Sequence, residues 1–288
     1  MRKSLLILFF ALLAPVAAHA AHYADTYVIP VVGHVQGANG TMWMSDLAIR
    51  NFSNAPLTVE LIVIESGSNT DDNVYPLMSN GVSGTITVPA NNTVQLRDVM
   101  AGHRGMTNSI GALVVGANAP FALTSRAYSN RAPLGQTVLP ARDFLDNSFG
   151  TADNAGFAYI PGIVSNAAAR TNVGFVAGSG GSTAQMVVEV MVRNAAGGIA
   201  GTRSFVIPAG RFAHMQVPVR SIASGSFDIG SVDVRIAEGE GVVVPYASVI
   251  DNTTGEAAYI MGVTPPTGPA MPLWKPSLFR SLIERNYR

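Results

Sequence analysis

Hydrophobic and polar residues alternate with a period of two along several stretches of this 288-residue chain. In the clearest stretch, residues 185–193, every second residue from Met186 to Val192 is apolar, while Glu189 and Arg193 are charged. Successive side chains of a strand point to opposite faces, whereas a helix would scatter these residues around its circumference. The pattern therefore predicts a strand with one buried face, and residues 231–236 predict a second strand in the same way.

Two further stretches, 59–64 and 242–250, are apolar almost without interruption, as expected of strands that are covered on both faces. Turn formers separate the predicted strands, for example Asn-Gly at 39–40 and Pro-Ala-Gly at 208–210. Short strands at fairly regular spacing, with no long helical pattern between them, predict an all-β protein built from antiparallel β-sandwiches.

The same ordered landmarks occur twice, over residues 27–140 (the first copy) and 157–261 (the second copy). The corresponding pairs are Ile29-Pro30 and Ile160-Pro161, Asp46-Leu47 and Asn172-Val173, Val88-Pro89 and Ile207-Pro208, and Ile110-Gly111 and Ile229-Gly230. A repeat of this length has the size of a whole domain and leaves room for seven or eight strands. We therefore expect two tandem immunoglobulin-like β-sandwich domains, at 21–145 and 146–264.

The landmarks lie further apart in the first copy, which therefore carries two insertions, around 33–45 and around 65–84. Insertions between strands are where binding loops commonly occur. Each insertion contains one large aromatic residue, Trp43 in the first and Tyr75 in the second. These residues are candidates for a binding surface for a sugar ring or a protein partner; alternatively, each caps the end of a core.

The N-terminus has the order of a secretory signal peptide, which we assign to residues 1–20. Arg2 and Lys3 precede an apolar run at 5–14, and Ala18-His19-Ala20 fits a cleavage site with small residues at alternate positions. The run is short for a bilayer-spanning helix and no later stretch resembles one, so we expect an exported protein, periplasmic, cell-surface or secreted, with no integral membrane span. The chain has no cysteine, so its cores must be stable without disulfides, and this composition leans towards a bacterial source.

Charge and motif patterns exclude several functional classes. Lys and Arg together number 18, as do Asp and Glu, and no long basic stripe is present, so nucleic acid is not an expected partner. No spacing typical of a transition-metal site or of a nucleophilic serine occurs, and we assign no catalytic residue and no cofactor. Asp71 and Asp72, in the second insertion, are weak candidates for calcium ligands, the alternative being a solvated turn.

Residues 265–288 depart from the strand pattern. A proline-rich spacer is followed by a short amphipathic segment for which Ser277 could be the N-cap. This segment predicts a helical tail that folds back onto the second copy or docks on a partner.

Three segments of the first copy carry a family resemblance: Ser-Asp-Leu-Ala-Ile-Arg-Asn-Phe-Ser at 45–53, Val-Pro-Ala-Asn-Asn-Thr at 88–93, and Ala-Pro-Phe-Ala-Leu-Thr-Ser-Arg-Ala-Tyr at 119–128. Together they resemble the tandem immunoglobulin-like β-sandwich repeats that bacteria export and that have no assigned function. The resemblance implies an exported tandem sandwich and carries over no catalytic residue. Its loop arginine, Arg126, is a further candidate for a binding surface, although the second copy has no equivalent of Ser125-Arg126.

These observations lead to a functional hypothesis. We expect a non-enzymatic binding, adhesion or surface-structural protein whose partner is an extracellular or periplasmic protein or glycan. The alternative is a small carbohydrate-active or hydrolytic enzyme that uses carboxylates such as Asp71, Asp72 or Asp98. That alternative requires at least two titratable groups that converge in one cleft.

Overall fold

A computed structural model describes residues 24–67, 74–76, 85–130, 137–140, 157–179 and 184–263. Over these residues the protein is mostly β-strand, with three antiparallel sheets and one α-helix, which confirms the predicted all-β class. The signal peptide, the candidate calcium ligands Asp71 and Asp72, and the predicted tail helix at Ser277 lie outside the described residues and stay predictions. Residues 141–156, between the copies, also lie outside the described residues.

The two copies each contribute eight of the described strands. Those of the first copy are β1 (Ala24–Gln36), β2 (Met42–Arg50), β3 (Leu57–Glu65), β4 (Val74–Pro76), β5 (Thr85–Val88), β6 (Thr93–Leu96), β7 (Ser109–Ser129) and β8 (Thr137–Pro140). Those of the second copy are β9 (Phe157–Ser165), β10 (Ala169–Ser179), β11 (Met186–Asn194), β12 (Ile199–Ile207), β13 (Phe212–Pro218), β14 (Phe227–Glu238), β15 (Gly241–Asp251) and β16 (Ala257–Met261).

The strand order repeats as well as the sequence. In the second copy one sheet has the order β12-β11-β14-β9 and the other has the order β13-β10-β15-β16. The first copy has the order β5-β3-β7-β1, which uses the first part of β7 and corresponds to β12-β11-β14-β9. It also has the order β6-β2-β7-β8, which uses the last part of β7 and corresponds to β13-β10-β15-β16. The sequence landmarks therefore mark equivalent places in one repeated topology.

The copies differ in how their two layers are joined. In the first copy β7 runs without a break for 21 residues and takes part in both layers, so that all eight strands belong to one hydrogen-bonded sheet. In the second copy the corresponding chain turns at Gly239, whose φ is 76°, and divides into β14 and β15. A positive φ is accessible to glycine at little cost, which permits the tight reversal.

Each copy encloses an apolar core between its layers, and the predicted strand faces are confirmed. In β11 the inward residues from Met186 to Val192 are at most 1% exposed, and in β14 Val232 and Val234 are fully buried. The second core is formed only by residues of the second copy, whereas the core of the first copy also includes Tyr246 of β15.

A third apolar cluster joins the two copies. Ile62 and Ile64 of β3 pack with Val242 and Val244 of β15, while the intervening residues of each strand face the core of their own copy. The uninterrupted apolar stretches at 59–64 and 242–250 therefore are covered on both faces, as predicted. The cover on the second face is the other copy.

One glycine landmark has a steric explanation that applies to both copies. A β-carbon on Gly111 would clash with the carbonyl oxygen of Ile64 on β3, and a β-carbon on Gly230 would clash with that of Arg193 on β11. The two partners occupy equivalent register positions, because Gly111 pairs with Glu65 and Gly230 pairs with Asn194. Glycine recurs there because the neighbouring backbone leaves no room for a side chain.

The sequence pattern did not predict helix α1 (Val99–Arg104), which follows β6. Val99 and Met100 are fully buried and close one end of the first core. Asp98 precedes the helix in a left-handed conformation, with φ of 45°. Six residues are too few to show a helical periodicity, so the signal was absent from the sequence. None of the helices among the described residues has the length and apolar character needed to cross a membrane.

Candidate functional site

A cleft of about 270 Å³ lies at the junction of the two copies. The first copy contributes residues from β1, β2, β7 and the β1–β2 turn, and the second copy contributes residues from β10, β13, β15 and β16. The side chains used below are Val35, Trp43, Arg170, Asn172, Gln216, Ser248, Ile250 and Tyr259. Neither copy forms this cleft alone.

The predicted insertion around 33–45 forms the wall contributed by the first copy. It lengthens the β1–β2 hairpin through a 3₁₀ turn at Ala38–Gly40. The half-buried Trp43 lies beside Gly37, and a β-carbon on Gly37 would clash with the indole Nε1 and with the Thr41 hydroxyl. The absence of a side chain at Gly37 therefore lets the indole occupy its place on the cleft wall.

The wall from the second copy is polar and rich in hydrogen-bond donors. Asn172, on β10, and Ser248, on β15, pair in register, so their side chains emerge on the same face of the sheet. Neither side chain has a hydrogen-bond partner among the described residues. The phenol ring of Tyr259, on β16, lines the same cleft. These groups can donate to or accept from a bound molecule.

Arg170 is the only charged residue among the described side chains that line the cleft. Its Nη1 donates to Oδ1 of Asn252 over 2.7 Å, and the Asn252 amide donates in turn to the Ala167 carbonyl over 3.0 Å. Within the described part of the chain no carboxylate forms an ion pair with Arg170. Partial burial, followed by the positive charge of Arg220, lowers its pKa from the ordinary value.

A buried polar relay supports the floor of the cleft. The Tyr246 hydroxyl donates to Oε1 of Gln216 over 2.8 Å and lies 2.7 Å from Nε2 of His214. The imidazole of His214 also interacts with the backbone of Pro30 in the first copy. Burial lowers the pKa of His214 to about 3 and raises that of Tyr246, so both groups are neutral near pH 7. The relay fixes the Gln216 amide at the cleft.

A second polar cluster lies on the outer face of the first copy. The Asp46 carboxylate accepts hydrogen bonds from Arg126 Nη2 and the Tyr128 hydroxyl, each over 3.1 Å, and from the Asp98 backbone N–H over 2.9 Å. The Arg126 guanidinium also lies 4.6 Å from the centre of the Tyr128 ring. Burial, together with the hydrogen bond to Asp46, raises the pKa of Tyr128.

Asp98 extends this cluster to a histidine. Its Oδ2 lies 2.8 Å from Nδ1 of His34, while its Oδ1 is buried without a hydrogen-bond partner among the described residues. A left-handed aspartate is strained, and such strain often occurs at functional sites. Asp98 therefore contacts His34 through its carboxylate and Asp46 through its backbone N–H, and none of the three residues lines the cleft.

The structure places the predicted site residues at different locations. Trp43 lies on the cleft wall, and the half-exposed Arg126 is engaged by Asp46. Tyr75 lies on β4, where its backbone pairs with Val63. Asp71 and Asp72 lie outside the described residues, and the described part of the chain has no group of three or more potential metal ligands. The calcium site stays a prediction.

Sequence reasoning missed Arg170, Gln216 and Tyr259 as site residues, and it missed the pairing of His34 with Asp98. Arg170 occupies an outward position on β10, and nothing in the local sequence pattern distinguishes it from an ordinary solvated arginine. His34 and Asp98 are 64 residues apart in the chain. Only the pairing of β1 with β2 and of β2 with β6 brings them together.

Comparisons with known proteins assign no family. No protein-family profile matches the chain, and no curated protein matches it. Among solved structures, the VP2 subviral particle of infectious bursal disease virus is 13% identical, with 83% of this chain and 75% of that chain covered and a TM-score of 0.18. The structure of the Gt strain of that virus is 10% identical, with 90% of this chain and 86% of that chain covered and a TM-score of 0.17. These scores are too low to support an argument about fold or function.

Proposed function

We propose that this protein is an exported, non-enzymatic binding protein, in which two immunoglobulin-like β-sandwiches hold a ligand in the cleft between them. The observation that carries the proposal is the composition of the cleft. Apolar and aromatic side chains on one wall face mainly polar side chains on the other, of which Asn172 and Ser248 have no hydrogen-bond partner among the described residues. Ligand sites are commonly concave and largely apolar, with a few polar groups that orient the ligand, and they occur preferentially at junctions of this kind.

The cleft is also held in shape before any ligand arrives. Tyr246 lies in the core of the first copy and at the same time holds Gln216 of the second copy. The buried cluster around Ile62 and Val244 fixes the two copies against each other. A preformed site loses little conformational entropy on binding, which favours affinity.

Binding can be tested through the fluorescence of Trp43, since the chain has only one other tryptophan, Trp274. In a Trp274→Phe background of residues 21–288, we would titrate D-glucose, N-acetyl-D-glucosamine, D-galactose and D-glucuronate. Saturable change in Trp43 emission by at least one sugar is the expected result, and no response to any of the four would overturn the proposal.

Gly37→Ala is the variant that tests the site itself. The added methyl group displaces the indole of Trp43, so we expect affinity to fall at least tenfold while the far-ultraviolet circular dichroism is unchanged. Gly116→Ala is the matched control, because a β-carbon there meets nothing within 4 Å. Equal affinity of the two variants would show that the ligand binds elsewhere.

The hydrolytic alternative has one observation in its favour, the pairing of the Asp98 carboxylate with His34. In that case the strained Asp98 would act as the acid or the base, and His34 would orient it. The test is mass-spectrometric analysis of oligosaccharides incubated with the protein and with Asp98→Asn. Turnover that is lost in Asp98→Asn would favour the enzyme, whereas intact oligosaccharides would favour the binding protein.

A further inference from the structure

We infer that the ligand of the cleft is an acidic sugar, a single pyranose ring whose carboxylate pairs with Arg170. This inference rests on the proposed function and specifies the chemistry of the ligand. Three properties of the described cleft carry it: the isolation of its one charge, its excess of hydrogen-bond donors, and its size and aromatic wall.

The charge argument begins with the sheet face that the second copy turns towards the first. The outward positions of β10, β13, β15 and β16 hold one formally charged residue, Arg170, among otherwise apolar or neutral polar side chains. Covering a cation costs free energy unless an anion compensates it. In the described structure Arg170 receives only the neutral Asn252 as a partner. A ligand carboxylate would supply the missing negative charge.

The hydrogen-bonding groups of the cleft also favour an anionic ligand. Arg170 has further N–H groups beyond the one bound to Asn252, and the Gln216 amide nitrogen has no described acceptor. Trp43, whose indole carries a further N–H donor, also lines the cleft, and no carboxylate is present among the described lining residues. A donor-rich lining without an anion is complementary to a ligand that presents many oxygen acceptors and a negative charge.

Size and shape favour a sugar ring over a peptide end. A volume of about 270 Å³ is just below the range of roughly 300–1,000 Å³ that is typical of drug-sized ligands, so the cleft holds about one ring. The flat indole of Trp43 can pack against the C–H face of a pyranose. Capture of a peptide carboxylate typically uses a nest of backbone N–H groups. Here the described polar lining consists mainly of side chains.

The decisive comparison is between D-glucuronate and D-glucose, which differ only in the carboxylate. We expect glucuronate to bind at least tenfold more tightly to the Trp274→Phe protein. Arg170→Gln should remove this preference, and Arg170→Lys should keep only part of it, because lysine retains the charge but loses the planar fork. Arg203→Gln is the control, since its guanidinium lies over Phe205 of the second copy, away from the cleft. It should leave the preference unchanged.

The outcomes separate this inference from the proposed function. If glucuronate and glucose bind equally and Arg170→Gln has no effect, the acidic-sugar inference is wrong while the binding cleft stands. If acetyl-dialanine binds more tightly than glucuronate and Arg170→Gln abolishes that binding, the carboxylate belongs to a peptide and the sugar assignment fails. If none of these probes changes Trp43 emission, the proposed function and the inference fall together.

Discussion

The two copies place different residues at equivalent positions on equivalent sheets. The pair Asp46 and Arg126 of the first copy corresponds in register to Asn172 and Ser248 of the second. The Asp46 carboxylate is buried and forms an ion pair with Arg126, whereas the neutral pair lies on the face that meets the first copy. Because burying a charge carries a desolvation cost, the Asp46 carboxylate is compensated by Arg126 and two further hydrogen-bond donors, whereas the face between the copies carries mainly neutral side chains.

Arg170 is the exception to this rule. It occupies the covered face of the second copy, and the position that corresponds to it two residues before Asp46 is Met44. At this position the charged residue belongs to the second copy and the neutral residue to the first, which is the reverse of the arrangement at Asp46 and Asn172. We therefore attribute the neutral side chains of this face to packing between the copies, and the charge of Arg170 to the cleft.

The largest expected effect tests whether the two cores are equivalent. Val59 and Val188 occupy matching, fully buried positions on β3 and β11. An aspartate at either site buries an unpaired charge, so we expect Val59→Asp and Val188→Asp each to abolish the folding of its own copy. Thermal unfolding followed by circular dichroism measures the loss. Val206→Asp, at a residue that is 45% exposed, is the control and should fold. A cooperatively folded Val188→Asp protein would show that the strand faces are reversed.

The second prediction concerns the pH dependence of stability, and it compares the face of the second copy that meets the first copy with the equivalent face of the first copy. His214 lies on the covered face, and its equivalent on the first copy is the exposed Thr93. The pKa of His214 is about 3 in the folded protein and about 6.5 in the unfolded chain. Below pH 6.5 the unfolded chain takes up a proton that the folded protein excludes, so stability falls as the pH decreases from 6.5 towards 3.

The expected slope for this single group is at most about 1.4 kcal/mol per pH unit. Denaturant unfolding at intervals between pH 7 and pH 4 measures it. His214→Gln can still donate to Tyr246 but does not titrate, so its pH profile should be flatter in that window by the same amount. Parallel profiles for the two proteins would mean that His214 is not buried between the copies.

The third prediction tests the shared glycine. Gly111→Ala and Gly230→Ala each force a methyl group against the backbone of the neighbouring strand. We expect each substitution to lower the free energy of unfolding by about 1–3 kcal/mol, the usual cost of overpacking. Gly116→Ala, which also lies on β7, should change it by less than about 0.5 kcal/mol. A large loss from only one of the two glycines would restrict the close approach to that copy.

The smallest expected effect comes from replacing the charged pair of the first copy, Asp46 and Arg126, by the neutral asparagine and serine found in the second copy. Asp46→Asn should cost about 1 kcal/mol, because three donors lose an ionised acceptor. Arg126→Ser should cost less, because Arg126 is half-exposed and its ion pair is screened by solvent. Asp46→Asn combined with Arg126→Ser should cost less than the sum of the single changes, as measured by a double-mutant cycle. Strict additivity would show that the two side chains are not coupled.

Much of the fold could be predicted because strand patterning is local. The alternation at 185–193 placed Val188 inside, and the landmark Ile110-Gly111 located a glycine that two backbones require. Helix α1 was missed because two buried residues, Val99 and Met100, make no periodic pattern. The sequence analysis also made no prediction that β7 would run without a break from Ser109 to Ser129.

Less of the candidate site was predictable. Trp43 was found because an aromatic residue in an insertion is conspicuous in the sequence. Arg170 and Tyr259 come from separate strands, and their importance depends on which face of the second copy meets the first. That choice depends on shape complementarity between two sheets, which no single segment encodes.

The order of apolar and polar residues determined by itself that the chain forms strands, that the set of strands occurs twice, and that β3 and β15 are buried on both faces. Tertiary structure alone decided what covers those strands and where the cleft opens. The physical reason is one of range: side-chain direction along a strand follows from its own backbone, whereas contact between copies depends on surfaces that come together only after both have folded.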